Sequence, residues 1–290
     1  LAAAGYVTAG WSGTQLYKSL DEGANYSAFG AGISAQATLG YATTALGDWT
    51  QNLVDEKNSV TIQLTRSDAT LSSTTYATML NGTNVALLGD ELIAFRDATL
   101  VGTATYTLTG LMRRLQGTEW ATASHAVGDR FVLLTTSTIG LIASPTAEYN
   151  AERWYKAPSV GQTLDDAYAI TFTHTGISQK PLAPVQLGGG RNAAADITIN
   201  WIRRTRVGGA WTDLADVPLG EDSEAYEVEI YTDGNYTTLK RTITGITSAT
   251  TTYTAAQQVT DFGSGIAVAY IKVYQLSASL GRGYALTGTV

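Results

Sequence analysis

The sequence predicts a mainly β protein of more than one domain, in which a meander or sandwich is followed by a second sandwich. Apolar residues recur with period two rather than 3.6, as at Val60, Ile62 and Leu64 and again at Ile197, Ile199 and Trp201. That is the spacing of strands with one buried face. Threonine and valine are abundant, the 16 tyrosines favour a pleated backbone, and the 30 glycines supply turns. A chain of 290 residues with 44% hydrophobic content is long and apolar enough to bury a core in each of two domains. The chain opens on Leu1 inside the apolar stretch LAAAGYV, which reads as the C-terminal part of a longer polypeptide.

Near the start, Ser19-Leu20-Asp21-Glu22-Gly23-Ala24-Asn25-Tyr26 has the spacing of an Asp-box. In this hairpin motif, Ser19 and Asp21 bond to turn amides, Gly23 takes positive φ and Tyr26 packs back over the turn. Sialidase propellers carry several such boxes at blade spacing, whereas this chain has one, so the expectation is a structural hairpin joining strands near Leu16-Tyr17 and Tyr26 to Phe29. A polar Ser/Thr run between residues 69 and 84 admits a sub-boundary. Beyond it, Val85 to Leu88, a Gly89-Asp90 turn, Leu92 to Phe95, Thr105 to Thr109, a Gly128-Asp129 turn and Phe131 to Leu134 read as a meander. The most helix-compatible stretches are short: Thr118 to Ser124, with Thr118 as its cap, and Glu148 to Tyr155. Lys180-Pro181-Leu182-Ala183-Pro184, followed by Gly188-Gly189-Gly190, separates two strand-rich regions. The boundary is therefore placed near Gln179, giving a β-rich domain over 1–180 and a second domain over 181–290.

The second domain shows strand Ile197 to Ile202 with Trp201 facing inward and strand Tyr226 to Tyr231 with Tyr226, Val228 and Ile230 alternating. An Asp233-Gly234 turn, strand Ile271 to Leu276, then Gly281 and Gly283 complete the series. In this order the elements resemble a fibronectin type III (Ig-like) sandwich. Two departures stand out: Ala269 occupies the usual position of the corner tyrosine, and residues 203–224 make a long loop. That loop sets Arg203, Arg204, Arg206 and Trp211 beside Glu221, Asp222 and Glu224, and loops are where surface functions are grafted onto a sandwich. Arg204, Arg206 and Trp211 form the candidate contact surface.

The segment 81–134 carries Gly89-Asp90-Glu91, Leu92-Ile93-Ala94-Phe95, Leu111-Met112-Arg113-Arg114, Gly117-Thr118-Glu119, His125 and Gly128-Asp129 in order. It resembles the tail-tip proteins of siphophages, in particular the baseplate "megatron" family of gene transfer agents and related phages. The resemblance implies a non-enzymatic virion component at the tail tip or baseplate, supporting hub assembly and host-envelope attachment or penetration. It also implies a homotrimer below the tail tube that contacts distal tail, hub and peptidase proteins, with host surface glycan as a further partner.

The search for chemistry finds no catalytic and no metal-binding residues, and no cofactor is expected. His125 and His174 lack metal-ligand spacing, there is no cysteine, and no G-x-S-x-G elbow surrounds a serine. His125 reads as an orienting or packing residue at the Gly128-Asp129 turn. Asp165-Asp166 and Glu221-Asp222 read as solvated loop charge, because glycoside hydrolysis needs two carboxyls held across a cleft. A net charge of −7 argues against nucleic acid as a partner, and no apolar run reaches the roughly 18 residues of a membrane span. Trp11, Trp49, Trp120, Trp154 and Trp211 lie in polar or glycine-rich sequence, where an exposed aromatic face suits sugar stacking or subunit contact. The alternative functional reading is therefore a virion-borne or secreted polysaccharide hydrolase, or a carbohydrate-binding surface module.

Overall fold

The computed structural model describes residues 2–5, 11–30, 32–51, 53–140, 142, 145–209 and 216–290. The chain divides into two compact units, Leu1–Thr175 and Gly176–Val290. The first contains strands β1 (Ala2–Ala3), β2 (Tyr17–Ser19), β3 (Ser27–Ala28), β4 (Leu39–Ala42) and β5 (Val60–Leu64). Helix α1 (Tyr76–Leu80) precedes β6 (Val85–Leu88), β7 (Glu91–Gly102), β8 (Thr105–Met112), β9 (Arg130–Leu133), β10 (Ile139–Gly140), β11 (Glu152–Lys156) and β12 (Ile170–Thr173). The second contains β13 (Val185–Arg191), β14 (Ile197–Ile202), β15 (Tyr226–Tyr231), β16 (Leu239–Ile246), β17 (Thr250–Tyr253), helix α2 (Ala255–Phe262), β18 (Tyr270–Ser277) and β19 (Gly281–Thr289).

The centre of the first unit is a closed antiparallel barrel in the order β4-β5-β8-β7-β6-β9, with β9 pairing back onto β4. Closure removes exposed sheet edges, and the alternate residues of each strand fill the interior. Val60, Ile62, Leu64, Leu88, Ile93, Phe95, Leu108, Leu111 and Phe131 are all nearly inaccessible to solvent. The expected meander is thus corrected in its connections: β9 lies beside β6 and β4 rather than beside β8. The long-range partner β5 fills the place next to β8. The Ser/Thr-rich run 69–84 links two strands of this one barrel, β5 to β6, and contains α1, capped by the Thr75 side chain.

A second sheet of the first unit has the order β12-β11-β2-β3. Here the sequence expectation of a helix over Glu148 to Tyr155 gives way to a 3₁₀ turn at Thr146–Glu148 followed by strand β11. Glu152, Arg153 and Lys156 tolerate a helix, but pairing of β11 with both β2 and β12 decides the outcome, as tertiary contacts routinely override weak local propensity. Thr118 to Ser124 likewise forms only a 3₁₀ turn over Glu119–Ala121. The Thr118 hydroxyl donates to the Leu115 carbonyl instead of capping it.

The second unit is a seven-stranded sandwich, with β13-β14-β17 facing β16-β15-β18-β19. This three-plus-four strand order is that of a fibronectin type III domain. Ile197, Ile199, Trp201, Tyr226, Val228, Ile230, Ile271 and Val273 form its core, alternating along β14, β15 and β18 as period-two strands require. The sequence reading passed over α2, although Thr254 and Gln257 form a reciprocal capping box and Gly263 closes the helix in the left-handed region. Among the described residues, no helix is long and apolar enough to cross a membrane.

Candidate functional site

The most distinctive chemistry of the molecule is buried at one end of the barrel. Glu91 begins β7 on the same inward face as Ile93 and Phe95, and it is completely inaccessible. Its carboxylate accepts from Arg113 Nη2 at 2.7 Å, the Arg114 backbone N–H at 2.7 Å and Arg113 Nε at 3.0 Å, with His125 Nε2 at 2.7 Å. Arg113 follows β8, and its guanidinium also donates to Asp55 Oδ2 at 3.2 Å and to the Gly47 carbonyl at 3.0 Å. Asp55, itself buried, accepts from the backbone N–H groups of Lys57 and Asn58 and exchanges backbone hydrogen bonds with Leu111. The second nitrogen of His125, Nδ1, lies 2.8 Å from Asp129 Oδ2. Gly89 makes room for that carboxylate. A Cβ built on Gly89, whose φ is +57°, would stand 2.9 Å from Asp129 Oδ2.

Burying charge is costly unless every polar atom is paired, and this cluster meets that condition through forked Arg–carboxylate bonds and backbone donors. Burial works against ionisation of Glu91. Bonds from His125, Arg113 and the Arg114 N–H outweigh it and hold the carboxyl below its ordinary value of 4.5. Burial likewise works against a charged His125, but its bonds to Glu91 and Asp129 outweigh it and raise the ring above 6.5. The contribution of Glu91 to stability is therefore complete above pH 4.5 and lost as pH falls through its lowered value. That of His125 is complete below pH 6.5 and lost as pH rises through its raised value.

The arrangement braces the fold and is poorly suited to catalysis. The side chains of Glu91, Arg113 and Asp55 are wholly enclosed and that of His125 is 2% exposed, so no substrate reaches them. The two ring nitrogens of His125 face different carboxylates, so Glu91, His125 and Asp129 do not converge on a common point. Among the described residues, no cluster of three His, Asp or Glu side chains can hold a metal ion. The sequence reading named Glu91, Arg113, His125 and Asp129 as parts of one segment but missed that they bond to one another in a chain, and it missed Asp55 altogether. A buried Glu at an inward position of an otherwise apolar strand was the available signal.

The Asp-box residues come together at the β2–β3 hairpin. Ser19 Oγ donates to Asp21 Oδ1 at 2.7 Å and accepts from the Gly23 N–H, while Asp21 accepts from the Asn25 N–H at 2.9 Å and side chain at 2.7 Å. Gly23 has φ +90°, and a Cβ there would stand 3.2 Å from both the Trp154 ring and the Tyr26 hydroxyl. A shallow depression of about 280 Å³ beside the hairpin is lined by Lys18, Leu20, Asp21, Asn25, Ser27, Ala28 and Phe29. Hydrogen bonds from Ser19, then from Asn25, lower the Asp21 pKa to about 2. Any stabilisation from this carboxylate is present above its ordinary value of 3.8 and lost as pH falls through about 2. An NMR titration of the Asp21 carboxyl is expected to show its midpoint near pH 2, with the Asn25 amide shifting in step. A midpoint near 3.8 would mean that the hairpin bonds do not persist in solution.

In the second unit, Trp211 lies outside the described residues. Arg204 Nε donates to the Ala183 carbonyl at 2.7 Å, and Arg206 Nε to Glu221 Oε1 at 3.2 Å. Arg203 binds Asp216 and the Val217 and Pro218 carbonyls. These arginines thus fasten the described flanks of the loop, 203–209 and 216–224, within their own unit. Of the carboxylate pairs, Asp166 closes a turn on Thr163, and Glu221 is taken up by Arg206. Trp201 is 4% exposed, whereas Trp120 is 41% exposed. Trp11 and Trp49 each donate an indole N–H, to Ser159 and to the Leu53 carbonyl respectively, and Trp154 lies in β11 against Gly23.

Residues 37–132 match the family model described as Rcc01698-like, C-terminal. The match spans the barrel from just before β4 almost to the end of β9 and takes in the whole buried charge cluster. No curated protein matches the chain. Among solved structures, it is similar to the rat CD45 extracellular region, domains d3–d4, at 12% identity over 54% of this chain and 71% of that one, with a TM-score of 0.26. It is also similar to the chicken CNTN1 FN1–FN3 domains, at 10% identity over 98% and 90% of the two chains and a TM-score of 0.25. At these scores neither superposition supports the fold assignment, which rests on strand order.

Proposed function

We propose that this region is a non-enzymatic structural component of a siphophage or gene transfer agent tail tip or baseplate. The observation that carries the reading is the family match over 37–132, which coincides with the closed barrel. The motif residues Glu91, Arg113, His125 and Asp129 are spent on an enclosed brace rather than on an open site, as suits a part whose task is to keep its shape in an assembly. On this reading the barrel supports hub assembly, as a homotrimer in contact with distal tail, hub and peptidase proteins. The fibronectin type III-like sandwich presents surface towards the host envelope, including its glycans. The net charge of −7 disfavours a role on the nucleic acid that passes through a tail.

The test is immunogold labelling of purified particles with antibody raised against this region. Label at the distal end of the tail is the expected result, and particles free of the polypeptide would contradict the proposal. Incubating the chain with host polysaccharide separates this reading from a hydrolase, since no reducing sugar is expected to appear.

A further inference from the structure

We propose that His125 is a proton-held latch. As the imidazolium it ties the segment between β8 and β9 to the start of β7, and loss of its proton frees that segment while the barrel stays closed.

The protonation state follows from the hydrogen-bond geometry. An ionised carboxylate only accepts, and a neutral imidazole has one donor and one acceptor. His125 Nε2 is 2.7 Å from Glu91 Oε2, and Nδ1 is 2.8 Å from Asp129 Oδ2. With both carboxylates ionised, both nitrogens must donate. A proton cannot instead sit comfortably on Glu91, whose two oxygens already receive Arg113 Nε and Nη2 and the Arg114 N–H. Asp129 Oδ2 already receives the Ala126 N–H at 3.2 Å. The groups facing the ring or its partners are Glu91 from β7, Arg113 from the end of β8, Asp129 from the turn before β9 and, across Arg113, Asp55 from the segment before β5. A neutral ring would leave Glu91 and Asp55 sharing a single guanidinium, and would point a lone pair at either the Glu91 or the Asp129 carboxylate.

The consequence of deprotonation is local because the bonds on either side are independent of His125. Ala42 N–H donates to the Asp129 carbonyl, Gly128 N–H to the Ala42 carbonyl and Gly89 N–H to the Arg130 carbonyl, each at 2.8 Å, so β9 stays docked. Thr118 Oγ1 holds the Leu92 N–H at 3.1 Å, and the Arg113–Glu91 pair remains. Between these anchors, residues 123–125 are joined to the barrel through the His125 side chain, among the described residues, with the contact of Arg113 Nη2 to the Thr122 carbonyl, at 3.5 Å, just ahead of them; Ala126 is tied to Asp129 by its N–H to Oδ2 and by its carbonyl from the Asp129 N–H, each at 3.2 Å. Val127, next in the chain, is 67% exposed. The latch therefore opens above the ordinary histidine value of 6.5 and leaves the segment held below it.

The test combines two measurements on the whole chain. Long-range ¹H–¹⁵N NMR reads the protonation of the His125 ring, with His174 as an assigned companion signal, and hydrogen exchange reads residues 119–128. At pH 6 both ring nitrogens of His125 are expected to carry protons. As the ring titrates, exchange in 119–128, corrected for its intrinsic base dependence, should rise roughly tenfold or more, the worth of one charge-assisted bond. Strands Val60–Leu64 and Val85–Leu88 should stay protected. His125→Gln should exchange fast in this segment at pH 6 and show no further step, and Gly89→Ala, which crowds Asp129, should do the same with the histidine present. A His125 ring that is neutral at pH 6, or a segment whose exchange does not follow the wild-type ring titration, would overturn the proposal even if neither variant folds.

Discussion

Replacing Arg113 with methionine is expected to destabilise the first unit by about 3 to 5 kcal/mol, the usual cost of stranding a buried ionic partner. The substitution keeps most of the side-chain volume but removes five N–H donors. Glu91 and Asp55, both completely inaccessible, lose their only guanidinium among the described residues, and the carbonyls of Gly47 and Thr122 lose a donor. The loop around Gly47 and the segment around Thr122 are both fastened by this one group, so damage should spread over that end of the barrel. Calorimetry on the whole chain should show one transition lowered and the other unchanged. Arg113→Lys should recover part of the loss, because an ammonium restores charge without the forked geometry. A methionine variant that unfolds with the wild type would mean that solvent or rearrangement already satisfies the two carboxylates.

The second large effect belongs to Trp201. Its ring sits in the sandwich core at 4% exposure, edge-on to Tyr226 with centroids 5.1 Å apart and planes at 70°. Trp201→Ala should cost about 3 to 5 kcal/mol, combining lost transfer energy with the cavity left behind. Urea unfolding followed through both units should place that loss in the second transition. A wild-type midpoint would show that Trp201 does not occupy the core and that the register of β14 is misplaced.

Both effects illustrate what the sequence discloses and what it hides. Period two at Ile197, Ile199 and Trp201 was enough to orient β14, because a strand has only two faces and one of them must be buried. The same logic found β5 and β15, while β6, an unbroken apolar run, was read from the Gly89-Asp90 turn that ends it. That logic failed where pairing partners are distant in sequence. Nothing local says that β5 lies beside β8 or that β9 closes onto β4, and the identity of Glu152–Lys156 as a strand depends on β2, more than a hundred residues earlier. Helix α2 was legible from Thr254 and Gln257 and was overlooked. The charge cluster was half legible. The order of Glu91, Arg113, His125 and Asp129 brought the family resemblance into view, yet the reading of these residues as scaffold and turn groups gave no reason for their chemistry. That reason is spatial. Asp55 and Arg113, 58 positions apart, meet only once the barrel has closed. For the long loop of the second unit, proximity in sequence suggested a contact surface of Arg204, Arg206 and Trp211; Arg204 and Arg206 also bond within that unit, and Trp211 lies outside the described residues.

A brace of this kind requires that Glu91 and Arg113 stabilise the barrel by acting on one another. A double-mutant cycle between Glu91 and Arg113, measured by urea denaturation at pH 6 with Glu91→Gln, Arg113→Met and the double variant, tests it most directly. Both charges are present at that pH, and the His125 bonds are intact. A coupling energy of about 2 to 3 kcal/mol is expected, with the double variant less damaged than the sum of the singles. Single effects that add to within about 0.5 kcal/mol would contradict the account, because the two residues would then contribute independently and the brace would not exist.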